Sequence, residues 1–349
     1  MREKKYYSLY KSVKDDIISG KYAPNSKLPS KRVMADRCGC SIVTVENAYG
    51  MLYEEGYIDC KERSGYIVKS VQGIAPSDKS GKVLDLLPCE KAVNEQPFEY
   101  SSWAKTVRKV VSERGRSLFI KSPVEGISFL RNAIAQYLLR YRDIFTQPKN
   151  IIIGSGAEQL YENAVKILGR ERVFGIENPC YKGIKAVYQG EGVKTVDLDM
   201  GKDGILSSQL KKDFSVLHVT PFNSYPSGIT ATAGKRFEYL AWANQKPDRY
   251  IIEDDFASEF FMPGHPIDSL FSTDGGKKVV YINTFSKSLS PSMRIGYMIL
   301  PDNLLDQYYE KLGGFSCSVP VLDQYVLAEF ISSGSFERHL NKTRRKLNK

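Results

Sequence analysis

Histidine, tryptophan and cysteine are scarce in this chain of 349 residues, at three, two and six. The cysteines, at 38, 40, 60, 89, 180 and 317, are scattered. Only Cys38 and Cys40 lie close together, a spacing too tight for the usual zinc pair, so reduced, packed thiols and no metal site are expected. No run of about 18 apolar residues appears, so no membrane span is expected. The N-terminus, Met1-Arg2-Glu3-Lys4-Lys5, leads into polar sequence without the apolar core of a secretion signal. A cytoplasmic protein is the expectation. The remaining composition, 42% hydrophobic and 26% charged, excludes collagen, coiled coil and wholesale disorder. It leaves room for two domains at about 100–200 residues each. The net charge of +10 is a modest bias that would help a polyanion bind and equally suits a solvated surface. Half of it comes from Glu337 to Lys349, where six basic residues face one acid.

Period and stop signals in the first stretch read as three short helices and a hairpin. Leu9, Val13 and Ile17 recur at helical spacing and Gly20 ends that helix. Pro29 breaks the chain before Ser30, a good N-cap, and the next helix stops at Gly39. Ser41 opens a third helix with the stripe Val45, Ala48 and Leu52. Two β-rich runs follow, Tyr57-Ile58-Asp59-Cys60 and Tyr66-Ile67-Val68, around the turn Lys61-Glu62-Arg63-Ser64-Gly65. The outline is helix, turn, helix and a wing. In such a unit the second helix of the pair presents its N-terminal residues to base edges, and flanking cations grip phosphate. Ser41, Thr44, Asn47 and Tyr49 are placed for bases; Lys27, Ser30, Lys31, Arg32, Lys61, Arg63 and Ser64 are placed for the backbone. A small helical protein-interaction domain with solvated lysines is the alternative.

Residues 70–96 lose periodicity and gather Gly73, Pro76, Ser77, Ser80, Gly81 and Pro88, a linker composition that separates domains at 1–69 and 97–349. Beyond it strands and helices alternate. Buried strands are expected at 151–153, 173–176, 216–219, 250–252, 279–282 and 297–299. Helical patterns lie between several of them, as at 130–139, 159–168 and 237–242. This is an α/β domain with a mainly parallel sheet.

Three segments of that domain could carry chemistry. In Thr284-Phe285-Ser286-Lys287-Ser288-Leu289-Ser290-Pro291-Ser292-Met293-Arg294, a lysine at a strand end sits among hydroxyls, with an arginine seven residues on. That suits an amine that forms a Schiff base beside a bound phosphate. A surface lysine in a polar turn is the plainer reading of the lysine taken alone. Tyr250-Ile251-Ile252-Glu253-Asp254-Asp255-Phe256 puts carboxylates at the end of a buried strand, where a cationic partner is needed. A protonated pyridine nitrogen would serve. Ile153-Gly154-Ser155-Gly156-Ala157-Glu158-Gln159 is a strand, a glycine turn and a helix start, which offers free N–H groups to phosphate.

The N-terminal unit resembles the winged helix-turn-helix of the GntR regulators over residues 7–68. The residues that carry the resemblance are Ile17, Ile18, Gly20, Leu28-Pro29-Ser30-Lys31-Arg32, Ala35, Ser41, Thr44-Val45, Ala48-Tyr49, Leu52, Glu55-Gly56-Tyr57 and Ser64-Gly65-Tyr66-Ile67-Val68. Ile42 stands where that family usually has an arginine. The second domain resembles the fold type I, aspartate aminotransferase-like, pyridoxal phosphate domain, and the whole is similar to the MocR subfamily of GntR-type transcriptional regulators. The resemblance implies that Lys287 holds the cofactor covalently, Asp254 pairs with the pyridine nitrogen and Tyr181 stacks on the ring. It implies too that Arg294, Ser155, Gly156, Thr284 and Ser286 cradle the phosphate. Phe256 stands where the family usually has a tyrosine, and Ala157 where related enzymes often carry Thr or Ser. The C-terminal subdomain with its carboxylate-binding arginine is expected to be missing beyond Lys349. The implied function is a homodimeric regulator that binds a double-stranded DNA operator and senses an amine, an amino acid or pyridoxal phosphate itself, without any need for turnover. An aminotransferase with a fused head is the alternative, and a regulator that has lost its cofactor is a third reading.

Overall fold

The structure, a computed structural model, describes residues 5–61, 65–69, 98–260 and 268–347. The side chain of Lys61, the wing residues Arg63 and Ser64, and the linker assigned to 70–96 lie outside the described residues.

The head consists of α1 (Lys5–Ile18), α2 (Lys31–Cys38), α3 (Ile42–Glu54), β1 (Ile58–Lys61) and β2 (Gly65–Val68), the strands pairing antiparallel. Its ends are set by local chemistry. The Ser30 hydroxyl accepts the Val33 N–H, and Gly39 closes α2 in the left-handed region at φ 57°, where a side chain would be strained. The Ser41 hydroxyl accepts the Thr44 N–H at 3.1 Å and starts α3. Tyr10, Val13 and Ile17 of α1 pack on Val45, Ala48, Tyr49 and Leu52 of α3, with Ile58 and Val68 of the wing closing the core.

The large domain begins with α4 (Tyr100–Arg114) and α5 (Ser128–Tyr141), then β3 (Ile151–Gly154), α6 (Ala157–Leu168), β4 (Val173–Asn178) and α7 (Lys182–Gly190). It continues through β5 (Lys194–Gly201), β6 (Gly204–Ile205), β7 (Val216–Val219), α8 (Ala233–Asn244), β8 (Tyr250–Asp254), α9 (Leu270–Asp274) and β9 (Val279–Thr284). After α10 (Phe285–Ser288) come β10 (Gly296–Ile299), α11 (Asp302–Leu312), α12 (Val321–Ser332) and α13 (Ser335–Leu347). Among the described residues these strands form one eight-stranded sheet in the order β3-β10-β9-β8-β7-β4-β5-β6. Strands β9, β8, β7, β4 and β5 run parallel, and β10 is antiparallel to both β9 and β3.

Every expected strand is present. Strands β5 and β6 are additional: β5 reads Lys-Thr-Val-Asp-Leu-Asp-Met-Gly and buries only Leu198 fully, because it lies near the sheet edge and shows no continuous apolar run. The central strands are apolar on both faces because each face has its own core. Ile151, Ile153, Ile251, Tyr281, Tyr297 and Ile299 point to the layer of α5, α8, α12 and α13. Their neighbours Ile152, Ile252, Val280, Ile282 and Met298 point to α6, α7 and α11. With β10 reversed, the carboxyl ends of β3, β9, β8, β7 and β4 all reach one edge of the sheet. That edge is where open α/β sheets form their ligand crevice.

Candidate cofactor site and DNA-binding head

The register of three strands assembles the site. Gly296 pairs with both Thr284 and Gly154, so the ends of β3 and β9 and the start of β10 lie in one row. Asp254 pairs with Ile282 on the next strand. Ser155 and Gly156, then Ser286 and Lys287, and Arg294 therefore emerge from one stretch of sheet edge, although 139 positions separate Ser155 from Arg294 in the sequence.

The three acids at the end of β8 have three different fates. Glu253 accepts the N–H groups of Leu270 and Phe271 at 2.8 and 2.9 Å, capping α9. Asp255 is ion-paired to the buried Arg142 and accepts the Tyr281 hydroxyl at 2.7 Å. Asp254 has only the Tyr161 hydroxyl, at 2.5 Å on Oδ2, while its buried Oδ1 has no partner among the described residues. Burial pushes its carboxyl up to about 7; Asp255 and Glu158 push the same way, and the Tyr161 hydrogen bond and Lys287 oppose. Of the three, Asp254 is thus the one held neither by an arginine nor by backbone amides. Behind it, Tyr161 meets the ring of His218 edge-on at 5.0 Å, and His218 Nδ1 bonds the Tyr188 hydroxyl at 2.6 Å. Burial holds that imidazole down at about 3, so His218 is neutral and cannot serve as the counter-ion.

Lys287 lies in the short helix after β9, with Nζ 4.3 Å from the centroid of the Phe256 ring. Phe256 offers it an aromatic face and no hydroxyl. The Ser286 Oγ is buried without a partner among the described residues, and Thr284 is buried at the strand end. Gly156 has φ 97°, where a side chain would be strained, and a Cβ there would lie 2.6 Å from Arg294 Nη2 and push the guanidinium aside. No side chain caps α6, whose first residue is Ala157. The Ser155 N–H and hydroxyl both donate to Gln159 Oε1, at 2.7 and 3.1 Å. Tyr181 stands at the start of α7, 42% exposed, and donates to Glu158 Oε1 at 3.2 Å. Unpartnered buried oxygens on Asp254 and Ser286, the Lys287 amine at the same sheet edge and the Arg294 guanidinium against Gly156 fit a phosphorylated pyridine aldehyde.

Sequence reasoning missed Glu158, Tyr161 and Arg142. Glu158 accepts Arg294 Nη2 at 2.6 Å as well as Tyr181, and although burial acts to raise it, the Arg294 bond holds its carboxyl below the usual range. An acid two residues after the last glycine of the turn, in the first turn of a helix, was the signal available for Glu158. Tyr161 and Arg142 carry no local mark, because their partners come from β8.

In the head, Asn47 and Arg32 are exposed, as are Lys27, Ser30 and Ser41. Tyr49 is corrected: it is fully buried, and its hydroxyl donates to the Pro29 carbonyl at 2.9 Å, so it holds α3 against the turn before α2 and cannot reach bases. Ser41 and Thr44 bond each other at 2.9 Å, which commits their hydroxyls first to capping. Lys31 is paired with Glu46 and is less available to phosphate than Arg32.

The head also touches the large domain. Glu55, at the end of α3, is buried among the Tyr10 hydroxyl, Lys14 Nζ at 3.1 Å and Arg236 of α8 at 3.7 Å. Its carbonyl accepts the Ala233 N–H at 2.8 Å, and Lys14 is further paired with Asp268. Burial lowers the Lys14 ammonium, and Glu55 counters it. A small cavity bounded by Arg142, Asp255, Arg236 and Asp268 lies between this contact and the end of β8. Among the described residues no helix is long and apolar enough to cross a membrane.

The bacterial regulatory proteins of the gntR family match residues 5–68, and aminotransferase class I and II matches residues 92–349. The chain is 31% identical to the uncharacterized HTH-type transcriptional regulator YdeL of Bacillus subtilis, over 97% of this chain and 76% of that protein. It is 28% identical to the probable rhizopine catabolism regulatory protein MocR of Rhizobium meliloti, over 97% of this chain and 73% of that one. It is also 28% identical to the HTH-type pyridoxine biosynthesis transcriptional regulator PdxR of Corynebacterium glutamicum, over 94% and 73%. An archaeal alanine:glyoxylate aminotransferase shares the fold of the large domain at a TM-score of 0.64 and 23% identity, over 69% of this chain and 62% of that one. The α-aminoadipate aminotransferase LysN of Thermus thermophilus does so at 0.63 and 23%, over 74% and 66%. The chain therefore belongs to the MocR-like transcriptional regulators, in which a GntR helix-turn-helix precedes an aminotransferase class I and II domain.

Proposed function

We propose that this regulator holds pyridoxal 5′-phosphate at the sheet edge and that occupancy of that site sets how its heads engage an operator. The observation that carries the reading is the sorting of acids on β8, which leaves Asp254 alone with neither an arginine nor backbone amides to hold it, near enough to Lys287 to feel its charge. The family's domain is one that uses this cofactor, and relatives are named as regulators rather than enzymes. When bound, the cofactor supplies an aldehyde that captures an amine and a ring that withdraws electrons. This chain's part is to present the Lys287 amine, to place the Asp254 carboxylate, buttressed by Tyr161, toward the ring nitrogen, and to hold the phosphate with Arg294, Gly156 and the Ser286 and Thr284 hydroxyls. Phe256 gives Lys287 a ring face in place of a hydroxyl. An amine or amino acid that competes with Lys287 would be the signal, and the effect on the operator equals its differential affinity for two states of the molecule. The contact of Glu55 with Arg236 and Ala233 is the physical route from the large domain to α3. Two copies, each with one head, would match an operator with repeated half-sites.

Borohydride reduction of the protein incubated with the cofactor, followed by peptide mapping, tests the site. The expected adduct is on Lys287, with loss of the near-visible absorbance in Lys287→Ala. An adduct on another lysine would remove the assignment as a whole.

A further inference from the structure

Glu158 is a carboxylate sitting on Arg294, the cation assigned to an anion. Its two oxygens are both engaged, Oε2 by Arg294 at 2.6 Å and Oε1 by the Tyr181 hydroxyl at 3.2 Å. It lies in the first turn of α6, a 12-residue helix with no side-chain cap, where the positive end of the helix favours negative charge. Gly156 brings the Arg294 guanidinium against that same turn. The phosphate cup thus contains its own counter-ion. A phosphate monoester adds a charge of roughly −1.5 to −2 at neutral pH, and Asp254 already stands nearby as a further carboxyl group. One guanidinium that is one-half exposed cannot neutralise this charge and Glu158 together.

We propose that Glu158 is a resident counter-ion that the phosphate must displace from Arg294, and that it makes phosphate capture weak and reversible, as a sensor of a phosphorylated ligand requires. This rests on the reading of the site as a pyridoxal phosphate site. It assigns Glu158 a positioning role: it sets the balance between the phosphorylated and unphosphorylated aldehyde, while Lys287 treats both alike.

The test is an absorbance titration of the full chain, freed of cofactor by dialysis, with pyridoxal 5′-phosphate and separately with pyridoxal. Glu158→Gln keeps the shape and removes the charge. Its affinity for pyridoxal 5′-phosphate should rise about tenfold, or about 1.4 kcal/mol, while that for pyridoxal stays within about twofold. Glu158→Ala should act in the same direction, so the inference does not hang on one variant folding. The inhibition constant of inorganic phosphate against pyridoxal 5′-phosphate, corrected for the tighter binding of the latter, should also fall in the variants. Unchanged or weaker binding of the phosphorylated aldehyde in both variants would overturn the proposal, as would an equal gain for pyridoxal, which would place the effect outside the phosphate cup. If wild type and variants alike bind no pyridoxal 5′-phosphate, the cofactor reading itself falls and takes this inference with it; binding in all of them with no difference refutes the role of Glu158 alone.

Discussion

Replacing Asp254 with asparagine should stabilise the protein when the cofactor is absent. In the folded chain the carboxyl titrates at about 7 against an ordinary 3.8, mainly because burial disfavours its charged form. Between those values the folded state keeps a proton that the unfolded chain releases. Stability therefore falls as pH rises through this window, and the full loss is present above the folded value. A displacement from 3.8 to about 7 is worth at most about 4 kcal/mol at roughly 1.36 per pH unit. Relaxation and water entry will reduce it, and a gain of about 2 kcal/mol is expected. Asparagine retains an oxygen for the Tyr161 hydroxyl, so the exchange chiefly removes the charge. Glu253, which burial pushes up to about 8, gives both proteins the same slope and cancels in the difference, whereas Glu177, also up at about 8 mainly by burial, is raised in part by the Asp254 charge and adds to the advantage of the variant at the higher pH. Urea unfolding of the cofactor-free proteins at about pH 5 and about pH 8 measures the effect. The advantage of Asp254→Asn at the lower pH should be roughly one-third of that at the higher, where it is near its maximum. Addition of pyridoxal 5′-phosphate should reverse the order, because only the wild type gains a cation for its carboxylate. A variant no more stable than wild type at about pH 8 would refute the claim that Asp254 is an uncompensated buried acid.

Other outcomes follow from the same geometry. Arg32→Ala should weaken binding to all duplexes and reduce the slope of log K against log salt by about 0.9, whereas Lys31→Ala should change it less, since Glu46 already holds that ammonium. Asn47→Ala should cost mainly discrimination between sequences, about 1–3 kcal/mol for a bidentate base contact, read by competition between duplexes. Tyr49→Phe should lower stability by about 1 kcal/mol through its lost bond to Pro29, and leave sequence preference unaltered. Arg236→Ala should speed amide hydrogen exchange in α1 and α3, because the Glu55 carboxylate would lose its link to α8 and only the backbone bond from Ala233 would remain; unchanged exchange would mean that the side-chain link does not restrain the head.

What could be read from the chain before folding was whatever is local. Ser30, Gly39 and Ser41 mark helix ends through side-chain and backbone preferences that act within a few residues, and all three do so here. The buried strands announced themselves as apolar runs because the sheet is covered on both faces. Strand β5 did not, since near the edge of the sheet it alternates charged and apolar residues. The acids 253–255 were legible as a group. Which of them was left without an arginine or amide partner depended on Arg142 and on the amides of α9, partners that only tertiary structure supplies. Tyr49 was misplaced for a related reason: its position on α3 follows from sequence spacing, but the side of the helix that packs on α1 and β2 is set by the whole head.

The most direct measurement of the central claim is the affinity of the full chain for duplex DNA chosen by selection from a random pool, with and without pyridoxal 5′-phosphate, in wild type and in Lys287→Ala. Fluorescence anisotropy at fixed salt gives each value. The expected result is that the cofactor changes the affinity or the half-site spacing preference of the wild type and changes neither in Lys287→Ala. The same response in both proteins, or none in the wild type after its loading has been verified by absorbance, would contradict a regulator governed by this site.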